Sequence, residues 1–193
     1  NVNPYPLMVK FGNKPYVDVR ASFNSMIPSR LNLKLKNKLL NYYLKKLKQF
    51  PFLHDKVEFE ILFTCYDISI DSRLNELIKF NFSKNEISLI KKSLLDFTNE
   101  IIENFPKTSS YCTKSVEKLE QNHIEILEQL SASANYEQIL ESAKSLLSNC
   151  RKLGTIPFST MARIAFIGSI LLRSLHSKGF INSKFLDNFM NSI

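Results

Sequence analysis

PYVDVRASFNSMIP, residues 15–28, alternates apolar and polar side chains from Tyr16 to Phe23 and then finishes in polar Asn24 and Ser25. Period-two alternation with β-branched and aromatic residues reads as a half-buried strand. That assignment puts Val17, Val19, Ala21 and Phe23 on one face, and Tyr16, Asp18, Arg20 and Ser22 on the other. A second run of the same kind, VEFEILFTCY at 57–66, sets Val57, Phe59, Ile61, Phe63 and Cys65 against Glu58, Glu60, Leu62, Thr64 and Tyr66. If the two strands are neighbours, Asp18 and Arg20 share a surface with Glu58 and Glu60, flanked by Ser22, Asn24 and Ser25.

Such a mixed-sign face has two readings. One is an exposed sheet surface with weak cross-strand ion pairs. The other is a pocket for a small zwitterion, because an α-amino acid needs a guanidinium for its carboxylate and a carboxylate for its ammonium. On the second reading Arg20 or Arg163 binds the α-carboxylate, one of Glu58 and Glu60 takes the ammonium, and the other is the catalytic base. Ser22, Asn24 and Ser25 then fix the rest of the substrate. Arg163 enters because it lies in STMARIAFIGSILL (159–172), where almost every other residue is small or apolar; a buried arginine requires an anion, either a structural carboxylate or a ligand. His54 reads as a turn residue bonded to backbone.

Working outward, Leu35, Leu39, Leu40, Tyr43, Leu44 and Leu47 recur at three- and four-residue spacing in an amphipathic helix that ends at Pro51; its start is open, since LNLKLK also alternates. Ser83 and Glu86 form a capping-box signature for a helix running to about Asn104, closed by Phe105 and Pro106. Further helices are expected near 115–131, 135–152, 158–177 and 183–192, with breaks at the ASAN turn (132–135) and at GTIPF (154–158). The expected fold class is α+β, mostly helical: a small N-terminal β-sheet packed with about six or seven helices. Residues 1–193 are expected to form a single domain, a fragment of a larger multidomain chain, with sheet and basic helix over 1–70 and a helical part over 71–193.

The chain has 193 residues with a net charge of +8, 44% hydrophobic and 23% charged, the make-up of a globular domain. Residues 1–50 hold ten Lys/Arg against the single acid Asp18, and the remainder holds sixteen against seventeen. A basic first quarter favours an acidic partner surface or nucleic acid, although a solvated helix face explains it equally. Three scattered cysteines and three scattered histidines match neither a disulfide framework nor zinc-ligand spacing. The uncharged run Ile164–Leu172 is too short to span a bilayer, and no secretory signal opens the sequence. A cytoplasmic protein is expected, with no membrane, nucleic-acid or metal partner. No phosphate loop, GxSxG elbow or HExxH appears.

Four stretches, PYVDVRASFNSMIP, LHDKVEFEILFTCYD, CRKLGTIPFSTMARIAFIGSILLRSL and GFINSKFLDNFMNSI, resemble the central region of phosphoenolpyruvate-synthase-like phosphotransferases. The resemblance implies a neighbouring ATP-grasp domain and a phosphohistidine domain in the same chain, with ATP and Mg2+ held there and no cofactor in this segment. It further implies a place in the branch that phosphorylates the side-chain amide of L-glutamine in capsular polysaccharide phosphoramidate synthesis. This segment would then be the acceptor-substrate domain of a transferase, and not catalytic alone. A structural linker domain and a basic nucleic-acid module are the alternatives, the latter because Tyr42 and Tyr43 interleave with lysines.

Overall fold

The structure, a computed structural model, describes residues 7–130 and 134–192. Among these residues there are one two-stranded antiparallel sheet and seven α-helices, so the fold is α+β and mostly helical. The sheet, however, is not where alternation put it. Strands β1 (Met8–Phe11) and β2 (Lys14–Val17) form a hairpin. Gly12 and Asn13 between them both have positive φ, at 51° and 65°, the requirement of the tight turn that matches strand twist. Nearly every residue of the hairpin is exposed, so it contributes little to the core.

The expected first strand is instead helix α1 (Val19–Met26). Asp18 is its N-cap, accepting a hydrogen bond from the Ala21 backbone N–H at 2.9 Å. Helical spacing gathers Val19, Phe23, Met26 and Ile27 on one side, and Phe23 and Ile27 are buried. The expected second strand becomes one helical turn, α3 (Val57–Glu60), followed by an irregular run. Ile61 to Cys65 are all buried in succession, which removes any two-faced pattern. Buried backbone must find partners, and here side chains supply them. The Phe63 N–H donates to the Tyr43 hydroxyl at 3.2 Å, and the Tyr66 N–H to Thr98 Oγ1 at 2.8 Å. Arg73 Nη2 donates to the carbonyls of Phe59 and Leu62 at 3.3 and 2.7 Å.

Two compact units divide the described residues: 7–99 with 166–192, and 100–165. The segment 7–70 lies wholly in the first. That unit's core gathers α1, α2 (Leu33–Gln49), the run after α3, α4 (Ile70–Asn75) and the start of α5 (Lys84–Gln129). In α2, capped by Asn32 on the Leu35 N–H, Leu35, Leu39, Leu40, Tyr42 and Tyr43 are buried, and Leu44 and Leu47 pack against them. The capping box at the head of α5 is formed as read: Glu86 N–H donates to Ser83 Oγ, and Ser83 N–H to Glu86 Oε2.

Glu86 also accepts from Lys38 Nζ at 2.7 Å. That bond, with the Ser83 N–H, holds its carboxyl below the ordinary 4.5. A depressed folded-state value stabilises the fold above the unfolded pKa and loses that contribution as pH falls through the folded one. Glu86→Gln is therefore expected to flatten the acid arm of stability below about pH 4.5, measured by urea unfolding across pH; an arm identical to that of the parent protein would rule this out.

In the second unit, α5 continues through Pro106, where the chain was expected to stop. Proline there removes one N–H from the ladder, and Phe105 and Pro106 are exposed residues. GTIPF does not break the chain either: α6 runs from Tyr136 to Ser177, with a π-helical stretch over Cys150–Thr155. Pro157 cannot donate to a carbonyl one turn back, and widening of the ladder just upstream absorbs the defect. At Gly154 a Cβ would lie 3.1 Å from Leu119 Cδ2, so glycine lets this backbone approach α5. The ASAN turn lies partly outside the described residues. Helix α7 (Ser183–Met190) completes the first unit. By length and composition α6 could cross a bilayer: it holds an 18-residue window of mean hydropathy 1.5, of which 17% is buried. Counting only the uncharged run Ile164–Leu172 concealed this.

Candidate functional site

The structure separates most of the residues expected to meet on a sheet face. Asp18 is occupied as an N-cap. Arg20 is exposed and donates to Asn41 Oδ1 at 3.4 Å. Ser25 Oγ donates to the Ser22 carbonyl at 2.7 Å, and Asn24 is exposed on the same helix. Glu58 and Glu60 stand two apart on one helical turn, a spacing that does not place them face to face. The Glu58 carbonyl accepts from Thr64 Oγ1. Arg163 belongs to the second unit, where burial lowers its pKa. His54 Nδ1 lies 3.2 Å from the Pro51 carbonyl, a turn contact as read. Tyr42 and Tyr43 are buried and cannot offer stacking platforms to bases.

Of the expected site residues, Glu60 alone lines a polar cavity of the first unit. That cavity, about 380 Å3, lies between the α2–α4 region and the C-terminal part of α6, within the size range of small-molecule sites. Three cations face it, Lys46, Arg73 and Arg173, and three anions, Glu60, Asp67 and Glu76. Two of each are spoken for. Arg73 Nη1 is 3.8 Å from the buried Asp67 carboxylate while its Nη2 serves two carbonyls. Lys46 Nζ is 3.5 Å from Glu76, which also accepts from the Tyr42 hydroxyl at 3.4 Å. Burial, and then that carboxylate, push the Tyr42 phenol up to about 12.

This leaves Glu60 and Arg173. Neither makes an ion pair among the described residues. Arg173 instead sits 5.9 Å over the Phe59 ring, and Phe59 packs edge-on against Phe166 at 5.6 Å. An exposed guanidinium on an aromatic face is held in position with its donors free for a ligand. Arg73 lies similarly over Phe63, which stacks on Tyr42, so the wall beneath is rigid.

Sequence reasoning missed Arg73, Arg173, Asp67 and the pocket serines. Arg173 ends the same apolar helix as Arg163, and that anomaly was available; what could not be read is which stretch it packs against. Among the described residues no group of three or more His, Cys, Asp or Glu side chains is placed to hold a metal.

The thiols separate cleanly. Cys65 is buried beside Asp67, and burial first, then that charge, push it up to about 12, whereas Cys150 is exposed. Because thiolate and access set reactivity, an aromatic disulfide reagent is expected to modify Cys150 rapidly in native protein and Cys65 only after denaturant. A fast phase surviving Cys150→Ser would contradict this placement.

Comparison of the chain with models of known protein families, with curated proteins and with solved structures finds no match.

Proposed function

We propose that this chain is the acceptor-substrate-binding part of an ATP-dependent phosphotransferase, and that its first unit holds a small zwitterionic amino acid. The observation that carries the reading is the pair Glu60 and Arg173: opposite charges, neither in an ion pair among the described residues, facing one cavity whose remaining charges pair with one another. Arg173 receives the α-carboxylate through its two-pronged donors, and Glu60 receives the ammonium. Phosphoenolpyruvate-synthase-like proteins, which the sequence resembles, divide nucleotide, carrier and acceptor among separate domains. The substrate of the resembling branch, the glutamine kinases of Campylobacter-type capsule synthesis, is L-glutamine. Its amide nitrogen is a weak nucleophile, so the contribution of this unit is positioning for in-line attack. In this proposal the protein is cytoplasmic, and the C-terminal part of α6 packs on the first unit through the buried Ile167, Ile170 and Ser174.

A linker domain and a nucleic-acid module are the competing classes. The second loses ground because Lys38, Lys45 and Lys46 of α2 already engage Glu86, Phe80 and Glu76. Calorimetric titration of the chain with L-glutamine, pyruvate, ATP and a single-stranded oligonucleotide is the test. Saturable heat with glutamine and none with ATP is expected. Absence of heat with any amino acid overturns the proposal, and salt-dependent binding of the oligonucleotide would replace it with the basic-module reading.

A further inference from the structure

The β1–β2 hairpin buries almost nothing, yet most of its strand residues are apolar. Met8, Phe11, Tyr16 and Val17 are between 48% and 65% exposed. Alternation along the strands sets Met8 and its cross-strand partner Val17 on one face. Phe11 and Tyr16 lie on the other, where their rings meet edge-on at 5.6 Å. A lone two-stranded ribbon with apolar side chains in water on both faces is marginal. This one is nevertheless tied down at its base: the Asp18 N–H donates to the Leu7 carbonyl at 2.8 Å, and the Asp18 carboxylate caps α1.

The charge around the ribbon has one sign. Lys10 and Lys14 flank its turn, and Arg20 follows on the first turn of α1. On α2, Lys34, Asn41 and Lys48 recur every seven residues and are all exposed, so they share one side of the helix. Arg20 Nη2 donates to Asn41 Oδ1, which brings its guanidinium to that same side. None of these five cations makes an ion pair among the described residues. The one acid of residues 1–50, Asp18, is spent as a cap.

Three kinds of partner compete for such a surface. A folded protein covers one face of a ribbon and leaves the other in water. A nucleic acid offers phosphates to the lysines and bases to aromatic rings, but nothing to Met8 and Val17. The interfacial layer of a bilayer closes around both faces, takes up Phe11 and Tyr16 at headgroup level, and sets anionic headgroups against the cations. It also retains water for the unpaired backbone groups along the ribbon's outer edges, which the hydrocarbon core would not.

We infer that the β1–β2 hairpin and the basic side of α1 and α2 dock this chain on the surface of an anionic membrane, with the ribbon lying in the headgroup layer. Apolar insertion and a basic patch are each weak anchors alone and hold together. No spanning helix is needed. None of these residues lines the polar cavity, so the docking surface and the amino-acid site stand or fall separately.

The chain contains no tryptophan, so Phe11→Trp is a single fluorescent reporter of the hairpin's surroundings. It is mixed with vesicles of phosphatidylcholine alone, with vesicles containing about 30% phosphatidylglycerol, and with a single-stranded oligonucleotide. Emission is expected to move to shorter wavelength with the anionic vesicles only. In sedimentation, the parent protein should partition onto anionic vesicles at least about tenfold more strongly than onto neutral ones. Phe11→Ser/Tyr16→Ser and Lys34→Gln/Lys48→Gln should each weaken that partition severalfold. All four side chains are exposed, and melting followed by circular dichroism verifies that the variants fold. Emission unchanged by anionic vesicles, equal partition onto neutral ones, or a Phe11→Ser/Tyr16→Ser variant that sediments like the parent overturns the inference. So does a reporter shift produced by the oligonucleotide, which would assign the surface to nucleic acid.

Discussion

Arg73→Ala is expected to destabilise the first unit by about 3 kcal/mol, read as a shift in the urea midpoint at unchanged slope. The side chain is 26% exposed, but its partner Asp67 is only 2% exposed, so the truncation strands a largely buried carboxylate. Two hydrogen bonds into the backbone at Phe59 and Leu62 go with it, each to a carbonyl with a charged donor, the stronger class of such bonds. Partial exposure of the arginine and the long 3.8 Å ion contact argue against a larger figure. Asp67 also accepts from the Ser69 N–H and hydroxyl, which softens its isolation. Combining Arg73→Ala with Asp67→Asn should recover part of the loss, since the stranded charge is then gone. A single-variant loss under 0.5 kcal/mol would mean that the guanidinium does not hold this segment.

Arg173→Ala is expected to weaken glutamine binding by about 2 kcal/mol, roughly 30-fold in Kd, with no comparable change in melting temperature. Its guanidinium contacts Phe59 and makes no ion pair with an acid among the described residues, so removal subtracts little from the folded state and much from a bound carboxylate. Glu60→Gln preserves shape and removes charge, and roughly a tenfold loss is expected from it, because the ammonium keeps a neutral acceptor. Lys144→Ala, on the second unit and paired with Glu141, serves as the control and should leave the affinity unaltered. If Arg173→Ala and Lys144→Ala bind glutamine alike, the zwitterion does not sit between Arg173 and Glu60.

What could be read from the sequence was local and of helical period. The α2 core positions, its end at Pro51 and the Ser83–Glu86 box depend on neighbours three and four residues away, and all are in place. The failures share one cause. In YVDVRASF the residues satisfy a period of two and a helical period together, because Val19, Phe23 and Met26 also lie on one side of a helix. Asp18, taken as an oddly charged strand residue, was the cap that decides between them. In VEFEILFTCY alternation holds only as far as Ile61, where five consecutive buried residues begin, a pattern that tertiary burial imposes and local spacing cannot reveal. The two charged residues of the pocket that are free for a ligand, Glu60 and Arg173, stand 113 positions apart. Only packing brings α6 beside α3. Pro106 and Pro157 were weighed as helix terminators, whereas a position exposed to solvent at the first and a widened ladder before the second accompany helices that continue.

In the run Ile61–Tyr66 the first two amides donate back to the Val57 carbonyl, but those of Phe63 and Tyr66 are caught by Tyr43 and Thr98, 20 and 32 positions distant. No fragment of the chain can rehearse such a shape before the surrounding helices have met, so this wall should be laid down on the native side of the folding barrier. Losing the Tyr43 hydroxyl, as in Tyr43→Phe, should then quicken unfolding while leaving the refolding limb of a chevron almost untouched. The ligand-facing surface would be the last part of the protein to assemble and the first to come apart.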